Sequence, residues 1–168
     1  MSVGVRRAAP GDVPEILRMI RALASYERMP DAVEATEASL VEILFGPDPK
    51  VFAHIAEIGG RAVGLAVWFL NFSTWTGKYG IYLEDLFVDP DVRRGGVARA
   101  LFTAMAREAQ ALDCARIDWA VLDWNELAMD FYRRIGARPS EGWQPWRIDG
   151  EALERLAVPV DQIKPRSS

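Results

Sequence analysis

The chain of 168 residues holds one cysteine, Cys114, and one histidine, His54. A lone cysteine excludes an intrachain disulfide and carries no mark of an oxidising compartment. With a single histidine elsewhere in the chain, a zinc site is not expected. Long apolar runs are missing too. The longest stretch without charge lies between Arg61 and Lys78, and Asn71, Ser73, Thr74 and Thr76 interrupt it, so no bilayer span is expected. The N-terminal Met-Ser-Val-Gly-Val-Arg-Arg has no apolar core of the signal-peptide kind. These absences predict a cytoplasmic protein with no membrane association. A basic excess is also lacking: 20 Lys and Arg against 24 Asp and Glu give a net charge of −4. That disfavours a nucleic-acid partner and is compatible with a cationic small substrate.

What is present reads as one ordinary globular domain. Half of the residues are apolar and 26% are charged, the usual balance. A chain of this length should bury roughly 70% of its unfolded surface, enough for a core without staples. There is no internal repeat, low-complexity segment or linker, so residues 1–168 are expected to form a single domain.

Val3 to Arg7 alternates as a first strand. Pro10-Gly11-Asp12-Val13-Pro14-Glu15 then starts a helix, with Asp12 as N-cap and Val13, Ile16, Leu17, Ile20, Leu23 and Ala24 on one face. A shorter helix is predicted over Thr36 to Phe45. Val51 to Ile58 and Arg61 to Phe72, joined by Gly59-Gly60, carry a hairpin signal. Gly80 to Val88 is a further strand, interrupted by Glu84 and Asp85. Helix Gly96 to Leu112, strand Ala115 to Leu122 and helix Glu126 to Ile135, closed by Gly136, follow. Trp143 to Ile148 is the predicted last strand, before a short helix capped by Asp149. Hairpins followed by a strand–helix–strand crossover imply an α/β fold, a mixed sheet with helices on both faces.

The richest stretch is Leu83-Glu84-Asp85-Leu86-Phe87-Val88-Asp89-Pro90-Asp91-Val92-Arg93-Arg94-Gly95-Gly96-Val97-Ala98-Arg99. A strand runs out, Pro90 ends the pairing, and a glycine pair opens a helix. Free N–H groups and the positive end of the helix dipole at such a turn bind phosphate, and Arg93, Arg94 and Arg99 add charge. A solvated loop capping an amphipathic helix would look the same. The spacings of a Walker loop and of a dinucleotide-binding fingerprint are both absent.

Arg93-x-x-Gly96-x-Ala98 after a strand resembles the Q/R-x-x-G-x-G/A signature of the GNAT N-acetyltransferases, and the rest of the chain resembles their diamine (spermidine/spermine) branch. The resemblance runs through Glu15 to Ile20, Ser25-Tyr26-Glu27, Gly77-Lys78, Tyr82 to Val88, Trp124-Asn125-Glu126, Phe131 to Ala137, Glu141-Gly142-Trp143 and Ile148-Asp149. It implies a GNAT fold whose mostly antiparallel sheet splays at the coenzyme. It further implies acetyl-CoA as cosubstrate, its pyrophosphate on the loop from Arg93 to Arg99 with Gly95, Gly96, Val97 and Ala98. A homodimer built around Trp143 to Ile148 is implied as well.

Acetyl transfer from a thioester to an amine needs a base, donors for the carbonyl oxygen, and a proton for the departing thiolate. Glu84 and Asp85 suit the first need. Strand alternation would point one to each face unless a bulge intervenes. An exposed edge carboxylate and a structural ion pair are the plain alternative. The resemblance implies a bulge, with Glu84 as base through a water and Asp85 facing the substrate. Tyr132, whose phenol stays protonated at neutral pH, is the candidate acid, although its helical spacing alone says packing. Asn125 is a predicted N-cap that the resemblance also places on the pantetheine arm. Main-chain groups along Leu86, Phe87 and Val88 are implied to hold pantetheine and the thioester carbonyl. Cys114 has no neighbouring histidine, so the amine should attack acetyl-CoA directly in a ternary complex.

The six tryptophans lie at 68, 75, 119, 124, 143 and 146, and most are expected in the core or an interface. The resemblance puts Trp75 and Trp143 in an acceptor channel with Glu27 and Glu141. Ser73 and Asp118 depart from the polyamine pattern, which carries an aspartate and a histidine there. A diamine, thialysine, another primary amine or a cationic amino acid fits the framework. A peptide acetyltransferase and a non-catalytic acyl-CoA-binding regulator are the alternatives.

Overall fold

The computed structural model describes residues 2–158. The chain falls into two compact units, Met1–Phe131 and Tyr132–Ser168.

The first unit holds a five-stranded sheet in the order β1-β2-β3-β4-β5. The strands are β1 (Gly4–Arg7), β2 (Val51–Ile58), β3 (Arg61–Ser73), β4 (Lys78–Val88) and β5 (Ile117–Trp119). The first three pairings are antiparallel, and β4–β5 is parallel. A parallel neighbour needs a crossover, and α3 (Val97–Ala111) supplies it. Gly59 and Gly60 have φ of 60° and 80° between the paired Ile58 and Arg61, the predicted two-residue hairpin.

Strand alternation sends apolar side chains to both sides of the sheet. On one side Ile55, Leu65, Val67 and Phe87 pack with Val13, Ile16 and Leu17 of α1 (Val13–Tyr26) and with Leu40 and Leu44 of α2 (Glu37–Phe45). On the other side α3 lies so close that a Cβ on Gly64 would come within 2.8 Å of Val97 and 3.2 Å of Leu101. Fully buried Trp68 donates its indole N–H to Nδ1 of His54 at 3.1 Å. Nδ1 is therefore the acceptor, and Nε2 carries the proton of the neutral ring. Nε2 lies 3.4 Å from Glu108, which also takes two hydrogen bonds from Arg7 at 2.7 and 2.8 Å. Burial, with Arg7 nearby, lowers the His54 pKa. The histidine thus braces β1, β2, β3 and α3.

Several local expectations change. Asp12 occupies the N-cap position of α1, but its side chain makes no cap bond. Its carboxylate instead takes the Ala9 N–H at 2.7 Å and a two-pronged bond from Arg6 at 2.6 and 2.8 Å, since a bidentate pair with a cation outcompetes a single bond from a neutral amide. Thr36 does cap α2, accepting from Ser39 N–H at 3.1 Å. The strand expected over Ala115 to Leu122 shrinks to β5, which stops where its parallel pairing with β4 stops. Of the tryptophans only Trp68 is fully buried; Trp75, Trp124, Trp143 and Trp146 are exposed.

The helix α4 (Glu126–Arg134) runs into the second unit, and Gly136 follows its end at φ 91°. The predicted strand Trp143 to Ile148 is absent: residues 143–149 have no regular structure. The apolar residues Trp143, Trp146 and Ile148 do not alternate, and Pro145 lacks the N–H that a ladder would use. Asp149 precedes α5 (Gly150–Leu156) at the N-cap, again without a side-chain cap bond.

Candidate active site

The register of β3 and β4 slips between Val67 and Trp68, which pair with Asp85 and Leu83. Glu84 is the extra residue, so the bulge falls on the first of the two strand carboxylates. Without it, Asp85 would share the face of Leu83 and Trp68. With it, Asp85 shares the face of Val67, Leu65 and Phe87, on which α1 packs. Glu27, at the C-cap of α1, belongs to the same field. Desolvation by burial, then the charges of Glu84 and Glu27, push the Asp85 carboxyl up to about 6. Burial also raises the Glu27 pKa. Glu84 itself is exposed. Three acids thus gather where a bound cation would relieve their repulsion.

The same strand loses its second neighbour at this point. β5 pairs with Ile81, Tyr82 and Leu83 and ends at Trp119, while β4 continues along β3 to Val88. Among the described strands, Glu84 to Val88 is paired on one side only. A wedge opens beside Leu86, Phe87 and Val88 in which an extended ligand can complete the ladder.

Beyond Val88 the chain makes a short 3-10 turn over Pro90–Val92 and enters α3 through Arg94 at φ 68° and Gly96 at φ 83°. Gly96 is the N-cap, and Val97 is the first helical residue. The first-turn N–H groups of Val97, Ala98 and Arg99 have no intrahelical acceptor, the arrangement that cradles an anion. A Cβ on Gly96 would meet nothing within 4 Å in the protein, so its cost there comes from the left-handed backbone and from whatever ligand fills that space. Gly96→Val is expected to weaken CoA binding at least roughly ten-fold through that strain and lost approach. Calorimetric titration checks it, and unchanged affinity would remove the loop from the site.

The loop is pinned at its entrance. Asp89 is buried, accepts from Arg18 at 3.1 and 3.4 Å, lies 3.6 Å from Arg61, and donates its N–H to Val63 O at 2.9 Å. Arg93 lies with its guanidinium over the Tyr26 ring, 5.0 Å from the centroid. Asn125 accepts the Ala128 N–H at 3.3 Å, confirming the cap, and also the Tyr26 hydroxyl at 3.2 Å. Tyr26, Arg18 and Asp89 were not legible as site residues. The only hint was an acid placed before Pro90, with an aromatic beside Glu27.

Two departures now have partners. Asp118 is held by Arg116 at 2.5 Å and by the Asn71 amide at 3.1 Å, and the Ser73 hydroxyl accepts the Thr76 N–H at 3.3 Å in the β3–β4 turn. Trp75 is exposed beyond that strand end. Cys114 has a thiol raised by burial and by Asp113, the opposite of an activated nucleophile. In the second unit, Tyr132 lies in the last turn of α4, where its carbonyl accepts from Ile135 and Ala137, and Glu141 and Trp143 are exposed in the segment before α5. Among the described residues no cluster of His, Cys, Asp and Glu is arranged to hold a metal, and no helix is long and apolar enough to cross a membrane.

A sheet that parts beside a bulged, acid-bearing strand and feeds a glycine-opened helix is the frame of an acyltransferase. The acetyltransferase (GNAT) family model matches residues 15–137, and the chain belongs to that family. It is 40% identical over 167 residues to thialysine N-epsilon-acetyltransferase of Sus scrofa, covering 93% of this chain and 98% of that protein. It is 34% identical to spermidine/spermine N(1)-acetyltransferase-like protein 1 of Homo sapiens, covering 91% of this chain and 23% of that protein. Among solved structures, an integron cassette protein from the mobile metagenome of V. cholerae superposes with a TM-score of 0.78 at 27% identity, covering 94% of this chain and 98% of that one.

Proposed function

We propose that the protein transfers acetyl from acetyl-CoA to a primary amine of a small cationic substrate, of the thialysine or diamine kind, by direct attack in a ternary complex. The observation that carries this reading is the bulge at Glu84, which turns Asp85 toward Glu27 at the point where β5 leaves β4. The names of the relatives support a substrate with a terminal amine and a second polar or charged centre.

In this reading the diphosphate of acetyl-CoA lies on the main chain from Gly96 to Arg99, with Arg93, Arg94 and Gly95 beside it, and the pantetheine arm runs along Leu86 to Val88 past Asn125. The thioester carbonyl takes main-chain N–H donation from β4 as charge develops on its oxygen. Glu84, through a water, takes the amine proton; the nitrogen lone pair forms the new C–N bond; the C–S bond breaks. Tyr132 returns a proton to the thiolate. Asp85 and Glu27 hold the cationic substrate, and Glu141, Trp75 and Trp143 line its path. One catalytic domain, a homodimer that covers the exposed Trp143 and Trp146, and a cytoplasmic location without nucleic-acid or membrane partners complete the proposal.

Asp85 fixes an expected pH profile. A free aspartate titrates near roughly 3.9, and this one near about 6. Its contribution to stability is therefore fully present below the ordinary carboxylate value and is lost as pH rises through about 6. Anionic Asp85, available only above that point, binds the cation. The KM for the amine should fall as pH rises through about 6, and Asp85→Asn should abolish that step while stabilising the fold at neutral pH. A wild-type KM flat across this range would contradict the role. The reaction itself is tested by CoA release with thialysine, ornithine, spermidine and a lysine peptide. Release with small cationic amines is expected; release with the peptide alone, or with none, would overturn the reading.

A further inference from the structure

We propose that Tyr26 is a positioning residue that ties the coenzyme loop to the acceptor carboxylates, and that Arg93 acts through it. The inference rests on the acetyl-CoA site proposed above.

Tyr26 is the last residue of α1 and touches two segments with separate duties, the loop at Arg93 and the Trp124-Asn125 start of α4. Its ring carries the Arg93 guanidinium at 5.0 Å, a favourable arrangement of cation over π-face. Its hydroxyl donates to Asn125 Oδ1 at 3.2 Å, the same oxygen that caps α4 through Ala128. Its ring also lies 6.0 Å from Trp124. On the far side of Glu27, Arg28 stacks on Trp124 at 4.5 Å. Arg28 has φ 64°, a left-handed conformation costly for arginine and kept only where surroundings impose it. Glu27, whose charge reaches Asp85, is therefore flanked by two cation–ring contacts that fix the turn carrying it.

An arginine serving only as a phosphate contact has no need of a ring beneath it. Here the loop residue rests on the residue next to Glu27, so freeing the ring releases both the loop and the acid. Loss of Tyr26 should weaken coenzyme and raise the amine KM together, and removing Arg93 as well should add little, because both changes break one contact.

The experiment uses the full-length protein, calorimetric titration with CoA, and steady-state assays with thialysine. Tyr26→Met and Arg93→Gln are each expected to weaken CoA roughly three- to thirty-fold and to raise the thialysine KM. The double variant should bind CoA within about two-fold of the weaker single variant. Tyr26→Phe keeps the ring and should hold CoA affinity within about two-fold of wild type, which supports the stacking role even if Tyr26→Met fails to fold. The proposal is overturned by wild-type CoA affinity in Tyr26→Met, by multiplying losses in the double variant, by a ten-fold loss in Tyr26→Phe, or by an Arg93→Gln variant whose thialysine KM is unchanged. Wild-type protein that binds no CoA would overturn the coenzyme site itself, a result distinct from any of these.

Discussion

Glu84→Gln is expected to lower kcat/KM for the amine by roughly 10²–10⁴-fold while CoA affinity stays within about two-fold. The amide keeps the size and bulge geometry but cannot take a proton. The substitution lies on an exposed side chain at the extra position of the strand, so the fold should tolerate it, and a melting curve superposed on wild type separates lost chemistry from lost structure. The residual rate should rise with pH, because the fraction of substrate already deprotonated grows. Glu84→Gln at full activity would leave Glu84 as an edge carboxylate and transfer the base role elsewhere.

The second large effect is expected at Tyr132. Tyr132→Phe removes the hydroxyl and keeps the ring, so packing and acetyl-CoA affinity should change little, while kcat falls roughly 10²-fold or more as the thiolate departs without a donor. Pre-steady-state measurement of thiol release at saturating acetyl-CoA reads this step. An unimpaired rate would reduce Tyr132 to a packing residue of α4, the role its helical spacing alone suggests.

The parts of the molecule legible in sequence are those set by short-range rules. The Gly59-Gly60 hairpin, the helix opened at Gly96 and the cap at Asn125 each depend on a few neighbouring residues, and each is found where expected. Features decided by distant partners were not legible. Alternation could not say whether Glu84 and Asp85 diverge; the slip against Val67 and Trp68 decides it. Asp12 has every local attribute of a cap, but Arg6 on β1 takes its carboxylate. Trp143 to Ile148 has aromatic and branched residues suited to a strand, but it is irregular, and Pro145 in its middle has no N–H to pair. Tyr26 appears in sequence only within the Ser25-Tyr26-Glu27 stretch of the resemblance; its neighbours Arg93 and Asn125 lie far along the chain and are brought to it only by the fold.

The same distinction applies to the acceptor. Asp118 reads in sequence only as a departure from the polyamine pattern; the fold gives it Arg116 and Asn71 as partners. Glu27, Glu84 and Asp85 share one electrostatic field, and their mutual repulsion is what a bound cation would relieve.

The most direct measurement is a crystal structure of the protein with acetyl-CoA. The diphosphate should sit on the N–H groups that open α3, with the thioester in the wedge beside Leu86 and its carbonyl carbon open to an amine held near Glu84. A diphosphate bound away from Gly96, or a thioester on the far side of the sheet from Glu84, would contradict the account.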